Sequence, residues 1–584
     1  MENFKNFGIG SIVWAYYLKD ADEETMQKDI DCFRSYIPLN KVYLENHRGL
    51  IDVPKEKIRL AREVFERNGI KASGCITSTG LVDERRSAIF DTYCYTRQED
   101  RDAYVKIVEE LAEVVDEIIL DDYFFFSCRC EKCIKAKGQK SWSEYRLGVM
   151  EDFSKVIVKR AKEVNPKMNF IIKYPNWYES WQETGYNPEK QKDIFDMIYS
   201  GTETREAVYS QQHLQRYHSY SMVRYMENVA PNRNGGGWID PYAADDNMSR
   251  FLEQAELTVL AKAKELMLFN FEVVMKQFDT LPSLGKYLIR FDNILSQVEN
   301  PVGVSVYEPY NGDGEDLLYT YLGMGGVAVE PTPIFKDDAP TVFCAESACV
   351  DANIMEKLKT YVMNGGNAVV TTGFMRRQYD NGIKDMTSLR FTGRHMSGSE
   401  YLIGFSNYTD SSVAEGKEDV LFEVLQYKTN ASWADVSVVS GEYNFPILSE
   451  DKYGKGRLFI LNVPENLADL YKLPLDVWAA ISKVLSMGQD VYAASNEKIS
   501  LFAYENGIYG IQNYSVRPAK VRVYVRRELK GLINIETNEK YSAIIPMPKP
   551  GCWFDCCTFI PEDEEYAVEI KIGPGEVRFL SIER

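Results

Sequence analysis

Between residues 117 and 133 the chain reads EIILDDYFFFSCRCEKC: an apolar run, two adjacent acids, aromatics, then three cysteines. Two kinds of chemistry fit these residue types. Carboxyl groups flanking one bond can split a glycoside, one protonating the leaving oxygen while the other attacks or activates water. Their separation is roughly 5–5.5 Å for retention and about 6.5–9.5 Å for inversion. Asp121 and Asp122 offer one side of such a pair, and either of them could be the acid. Glu227 and Glu272, each following an apolar run, compete for the other side. Adjacent acids repel, which raises one pKa and suits a group that must keep its proton near neutrality. Cys128, Cys130 and Cys133, spaced C-x-C-x2-C, suit tetrahedral zinc. Cys94 is the chosen fourth ligand and Cys75 the alternative. A closed set of four thiolates leaves no open position, so its role would be structural.

These residues need elements to hold them. Over the first 300 residues, short apolar stretches alternate with amphipathic ones, the pattern of parallel β/α folds. Strands are predicted at 8–15, 41–46, 70–76, 117–122, 169–174, 195–200, 222–227 and 265–272, with helices between them. Eight strand–helix repeats in about 300 residues predict a (β/α)8 barrel over 1–300, whose chemistry sits at the carboxyl ends of its strands. Strands four and seven lie nearly opposite across the lumen, so Asp121 or Asp122 would face Glu227. Other strand-end candidates for substrate binding are Trp14, Glu45, His47, Arg48, Lys173, Tyr174, Asn176, Trp177, Trp238 and Glu272. The indoles of Trp14, Trp177 and Trp238 can stack on sugar faces. Glu45, Asn176 and Asp121 can bind hydroxyls. Arg48, Lys173, Arg205 and Arg224 leave room for a uronic acid, Arg224 subject to the inward and outward alternation of strand side chains.

The rest of the chain predicts two more domains. Residues 301–487 alternate strands and helices, an α/β domain. Neither Cys344 nor Cys349 sits in a G-x-C-x-G elbow, so the domain is expected to be structural. Residues 488–584 alternate with period two between Gly, Pro and Asn, a small antiparallel β-sandwich. Cys552, Cys556 and Cys557 are expected to be buried thiols rather than a second metal site.

The net charge is −19 over 584 residues, which disfavours tracking a nucleic-acid backbone. No apolar stretch reaches the roughly 20 residues of a membrane span. The N-terminus lacks the pattern of a signal peptide, and eleven unevenly scattered cysteines fit a reducing compartment, so a cytoplasmic location is expected.

A cysteine opening a helix, then a strand ending in an acid pair and Tyr, then clustered cysteines resembles the zinc-containing glycoside hydrolase family 42, the β-galactosidases. That family has Asn-Glu-Tyr at the end of strand four, where this chain has Asp121-Asp122-Tyr123, and Met-Glu on strand seven, matched by Met226-Glu227 in RYMENVAP. The resemblance implies a three-domain chain with a glutamine-amidotransferase-like second domain, a structural zinc and a homotrimer. It also implies a retaining exo-glycosidase acting on β-linked glycosides, with Asp122 as acid/base and Glu227 as nucleophile. The Asp-for-Glu change opens two alternatives: another sugar, such as a mannoside or uronide, or a carbohydrate-binding scaffold without turnover.

Overall fold

The computed structural model describes residues 2–79, 92–206, 214–242, 247–277, 279–404, 412–526, 530–543 and 566–583; Cys552, Cys556 and Cys557 lie outside them. The chain forms two compact units, Met1–Gln297 and Val298–Arg584.

The first unit is a closed barrel of eight parallel strands: β1 (Gly8–Val13), β2 (Lys41–Arg48), β3 (Lys71–Ile76), β4 (Glu117–Leu120), β5 (Asn169–Tyr174), β6 (Met197–Gly201), β7 (Asn234–Ile239) and β8 (Glu265–Leu268). Closure comes from β1, which pairs with β2 at Gly10–Lys41 and with β8 at Gly8–Glu265. Side chains alternate along each strand, so one set faces inward. Ile12, Tyr43, Cys75, Ile119, Ile171, Tyr199, Trp238 and Met267, one from each strand, fill the lumen as a single apolar cluster. The next inward positions towards the carboxyl ends are Glu45, Asp121, Lys173 and Asp240. Polar groups therefore sit directly on the apolar plug.

Helices start where local chemistry starts them. Asp22 caps α1 (Glu23–Tyr36) by accepting from the Thr25 amide at 2.8 Å. Ser141 and Glu144 form a capping box on the long helix Trp142–Val164.

Residues 222–227 are not the seventh strand. They belong to a helix, α2 (His218–Val229), whose buried Met222, Val223, Met226 and Val229 repeat at helical spacing. The true seventh strand is NGGGWI. Its glycines carry no apolar signal, but Gly236 is obligatory there: a Cβ would stand 2.2 Å from the Glu265 carbonyl oxygen of the neighbouring strand. Strand eight is also shorter than expected, and Glu272 lies on the following helix, α3 (Phe271–Lys276).

The second unit begins with a nine-stranded sheet. Five parallel strands, including Val304–Tyr307, Thr341–Cys344 and Asn367–Thr371, continue into long antiparallel ones such as Leu389–Ile403 and Ser412–Tyr427. Beyond it, six- and three-stranded sheets share one apolar core of Leu501, Ile511, Val521, Val568 and Leu580, the C-terminal β-sandwich. No helix among the described residues is long and apolar enough to cross a membrane.

Candidate active site

The carboxyl ends of the barrel strands bring together five carboxyls, Glu45, Asp121, Asp122, Glu203 and Asp240, and three cations, Arg48, Lys173 and Arg205. Lys173, on β5, stands at the centre. Its Nζ donates to Asp122 Oδ2 at 3.0 Å and to Glu203 Oε1 at 2.6 Å, lies 3.9 Å from Asp121, and sits 4.0 Å over the Trp238 ring. Two carboxylate oxygens gripping one nitrogen are near enough to flank a single scissile bond.

Glu203 is 2% exposed, and its second carboxyl oxygen, Oε2, is buried and has no hydrogen-bond partner among the described residues. Burial is the main force on it, opposed by Lys173 and reinforced by Asp122 and Asp240; the outcome lifts its pKa to about 7. Asp122 differs. Burial favours its neutral form, but the Lys173 ammonium and the bond with Asp121 outweigh that and hold it below the usual carboxylate range. Its side chain is 20% exposed, so it faces the mouth of the site. Asp121 is pushed up to about 7 by burial and by the charge of Asp122, against Lys173 and Arg48.

Asp121 is already fully engaged. Its Oδ1 accepts the Asp122 amide at 2.7 Å, and its Oδ2 accepts from Arg48 and Thr77 at 3.1 and 3.0 Å. Glu45, wholly buried, accepts from Arg48 Nε at 3.0 Å, from the Ala15 amide at 2.8 Å and from the Thr77 hydroxyl. Asp240, at the end of β7, is held by a bidentate Arg205 at 3.1 and 2.5 Å. Each strand-end cation thus already carries a carboxylate.

The other expected residues divide. Asn176 donates to the Glu203 carbonyl at 2.5 Å and so braces the loop after β6. Trp14 donates its indole N–H to Glu272 Oε2 at 2.8 Å, and Lys276 takes the other Glu272 oxygen. Half-buried Trp177 stands edge-on to Phe125, with ring centroids 6.3 Å apart, at the rim. Trp238 is 2% exposed beneath Lys173 and stacked on Phe269, so it supports the lysine. His47 is taken up by Asp52 and the Thr79 carbonyl, both at 2.6 Å. Tyr174 points outside the barrel, against Trp181 and Tyr186, because it follows inward-facing Lys173 by one residue.

Glu227 is corrected. It lies in the last turn of α2, and its carboxylate accepts the exposed Asn232 amide at 2.7 Å. That helix runs back towards the amino ends of the strands, so its last turn is on the side away from Asp122. Glu203 and Asp240 were missed among the acids. The inward alternation Tyr199, Gly201, Glu203 was the available signal for the first, and the glycine run concealed the second.

Behind the β4 loop, the sulfurs of Cys94, Cys128, Cys130 and Cys133 all lie within 4.8 Å of one another. Cys94 is 3.4 Å from Cys133 and 3.8 Å from Cys130. Tetrahedral zinc with Zn–S of about 2.3 Å spaces its sulfurs by about 3.8 Å, so this donor set fits a metal. Cys75 is excluded from the cluster, being a buried lumen residue.

Comparison with known proteins fits this architecture. Residues 1–306 match the family described as "Probable glycosyl hydrolase, catalytic domain". Residues 299–466 match the second domain of the uncharacterized protein SSO3021, and residues 490–574 match the C-terminal domain of the probable glycosyl hydrolases. Uncharacterized protein SSO3021 of Saccharolobus solfataricus is 29% identical over 295 residues, which cover 46% of this chain and 49% of that protein. The chain therefore spans about half the length of that relative. Among solved structures, a β-galactosidase from Bacillus circulans sp. alkalophilus superposes with TM-score 0.63 at 11% identity, covering 99% of each chain. An α-L-fucosidase isoenzyme 2 from Paenibacillus thiaminolyticus superposes with TM-score 0.63 at 10% identity, covering 100% of each. At such identities the likeness is one of fold. Membership is carried by the family match, which takes in more than half the sequence: the chain belongs to this family of probable glycosyl hydrolases.

Proposed function

We propose that the protein is a retaining exo-glycosidase in which Asp122 and Glu203 are the reacting carboxyls. The observation that carries this is their shared grip on Lys173, with their proton affinities driven apart. Asp122, held ionised and facing the mouth, attacks the anomeric carbon. Glu203 gives its proton to the leaving oxygen and later takes one from water. This reverses the role that the family 42 resemblance implies for Asp122 and replaces Glu227 altogether. Because Arg48, Lys173 and Arg205 already hold carboxylates, the pocket favours a neutral sugar over a uronide.

Two neutral sugars head the list. The β-galactosidase fold neighbour supports a β-D-galactoside. The α-L-fucosidase fold neighbour supports an α-L-fucoside. The test is hydrolysis of aryl β-D-galactoside, β-D-mannoside and α-L-fucoside with good and poor leaving groups. Asp122→Asn should abolish turnover, and azide should restore it as a glycosyl azide of opposite anomeric configuration. Glu203→Gln should spare only substrates with good leaving groups. Both variants keeping full activity would remove this pair and bring Asp240 forward.

The four-cysteine cluster belongs to the same reading as a structural zinc clamp behind the β4 loop, supported by its sulfur spacing. Elemental analysis should find one zinc per chain, and a chelator should lower the melting temperature without a metal step in turnover. The homotrimer and the division of the second unit near residue 487 are kept as parts of this reading. Light scattering and limited proteolysis test them.

A further inference from the structure

Glu203 lies on the loop that leaves β6, yet buried groups from elsewhere fasten its backbone. Ser219, in the first turn of α2, donates from Oγ to the Thr202 carbonyl at 2.7 Å and meets Thr204 Oγ1 at 2.9 Å. The Glu203 carbonyl accepts from the Asn176 side chain, and the Asn176 carbonyl faces His218 Nε2 at 2.8 Å. A carbonyl oxygen can only accept, so His218 carries its proton on Nε2. All of these residues are buried, His218 and Ser219 completely. Burial pushes the imidazole down to about 4, against the pull of the Asn176 carbonyl, so the ring is neutral around pH 7. Its Nδ1 is buried and has no hydrogen-bond partner among the described residues. Packing alone, such as the parallel contact with Tyr178 at 6.2 Å between centroids, would be met by an apolar ring.

The Glu203 carboxyl is boxed in as well. Oε1 accepts from Lys173, and Oε2 lies over the bare Cα of Gly201, where a Cβ would stand 2.8 Å from it and 3.0 Å from the Asn176 nitrogen. A carboxyl seated in this way follows its backbone.

We propose that His218 is a positioning residue for the proton donor: through Asn176 it fixes the backbone of Glu203, and with it the point at which Glu203 delivers its proton. This rests on the pair assigned above. In that step the Glu203 O–H bond breaks and its proton joins the leaving oxygen. That oxygen keeps the electron pair of the broken glycosidic C–O bond, while Asp122 Oδ bonds to the anomeric carbon. Misplacing a reacting group by 1 Å can cost about 100-fold. A leaving group that departs unaided does not need the proton, so the loss should fall on poor leaving groups alone.

The experiment compares kcat of the full chain on the phenyl and dinitrophenyl forms of whichever glycoside the panel shows to be hydrolysed. His218→Phe should lower kcat about 100-fold on the phenyl glycoside and keep it within about threefold on the dinitrophenyl one, the same order as in Glu203→Gln. His218→Gln, whose amide N–H can donate to the Asn176 carbonyl, should return the phenyl glycoside to within about tenfold of the wild type. Asn176→Ala, which cuts the same link at its other bond, is read in the same way if the phenylalanine variant does not fold. Equal losses on both leaving groups, no loss on either, or no recovery in His218→Gln would each overturn the proposal. If Glu203→Gln itself affects both leaving groups alike, the catalytic pair is wrong. If Glu203→Gln discriminates between them and His218→Phe does not, only the positioning role fails.

Discussion

The two ends of the barrel use the same device to opposite effect. At the floor, Lys41 lies between Glu117 and Glu265 at 3.1 Å from each, as Lys173 lies between Asp122 and Glu203 at the mouth. The floor is balanced: Lys71 also reaches Glu117 at 2.8 Å, giving two ammonium groups for two carboxylates. Ser73, Asn169 and the Tyr43 and Tyr199 hydroxyls complete the hydrogen bonding. Burial opposes the ionised form of Glu117, but the two lysines win and hold it down at about 2. The mouth has two more carboxyls than cations, and two of its acids, Asp121 and Glu203, are pushed up to about 7. A lysine between two acids is therefore structural or chemical according to the charge around it. An uncompensated acid near neutrality is a proton donor in waiting.

The comparison can be broken at either end. The largest effect should come from neutralising one acid in each cluster. Asp122→Asn should reduce kcat by at least about 1,000-fold, whereas Glu117→Gln at the floor should leave kcat of the folded enzyme within about threefold. Steady-state kinetics on the aryl glycoside that the panel shows to be hydrolysed reads both, and comparable losses would erase the distinction.

Next in size, Lys41→Met should destabilise the fold by about 3–5 kcal/mol, because it strands the buried Glu265 carboxylate and leaves Glu117 with Lys71 alone. Urea denaturation measures this. A cost under about 1 kcal/mol would mean that the floor is not held by charge.

The pH dependence of stability should have opposite signs at the two ends. Glu117 has a folded pKa of about 2 against an ordinary 4.5, so the unfolded chain binds more protons between those values. Its contribution, about 3 kcal/mol, is present above 4.5 and lost as pH falls towards 2. Asp121 and Glu203 have raised folded pKa values, so their contribution is present below their ordinary values and lost as pH rises through 7. Melting curves across pH should show Glu203→Gln flattening the loss between 4.5 and about 7, and Glu117→Gln flattening the loss between 4.5 and about 2.

The smallest effect should be that of Glu227→Gln, less than twofold in kcat and under about 1 kcal/mol in stability. Among the described residues its carboxylate accepts one exposed amide, and a glutamine carbonyl oxygen can replace it.

Much of the architecture was legible because it rests on local patterns. Strands such as NFIIKY and EIIL are apolar runs of the right length, and the cysteine spacing pointed to a cluster that the fold assembles, Cys94 included. The failures have a common cause. HSYSMVRYMENV fits strand alternation over a short window and helical spacing over its full length, and packing against the barrel chose the helix. The three glycines of NGGGWI leave too few side chains to form a pattern, although its Trp238 and the following Asp240 lie at the candidate site. Residues one apart at a strand's end, Lys173 and Tyr174, carry equal weight in a linear reading but point to opposite sides of the wall.

The sequence by itself determined the class of molecule: eight strand–helix repeats, an acid pair after the fourth strand, and a thiol cluster behind it. These follow from short-range chemistry, in which periodicity, turn residues and spacing act over a few residues at a time. Only the tertiary structure decided which acids share a cation. Asp122 and Glu203 are 81 positions apart, and their partnership exists because barrel closure brings β4, β5 and β6 side by side and sets one lysine between them. Electrostatic coupling falls off with distance in space, not along the chain, so the chemistry of this site is a property of the fold.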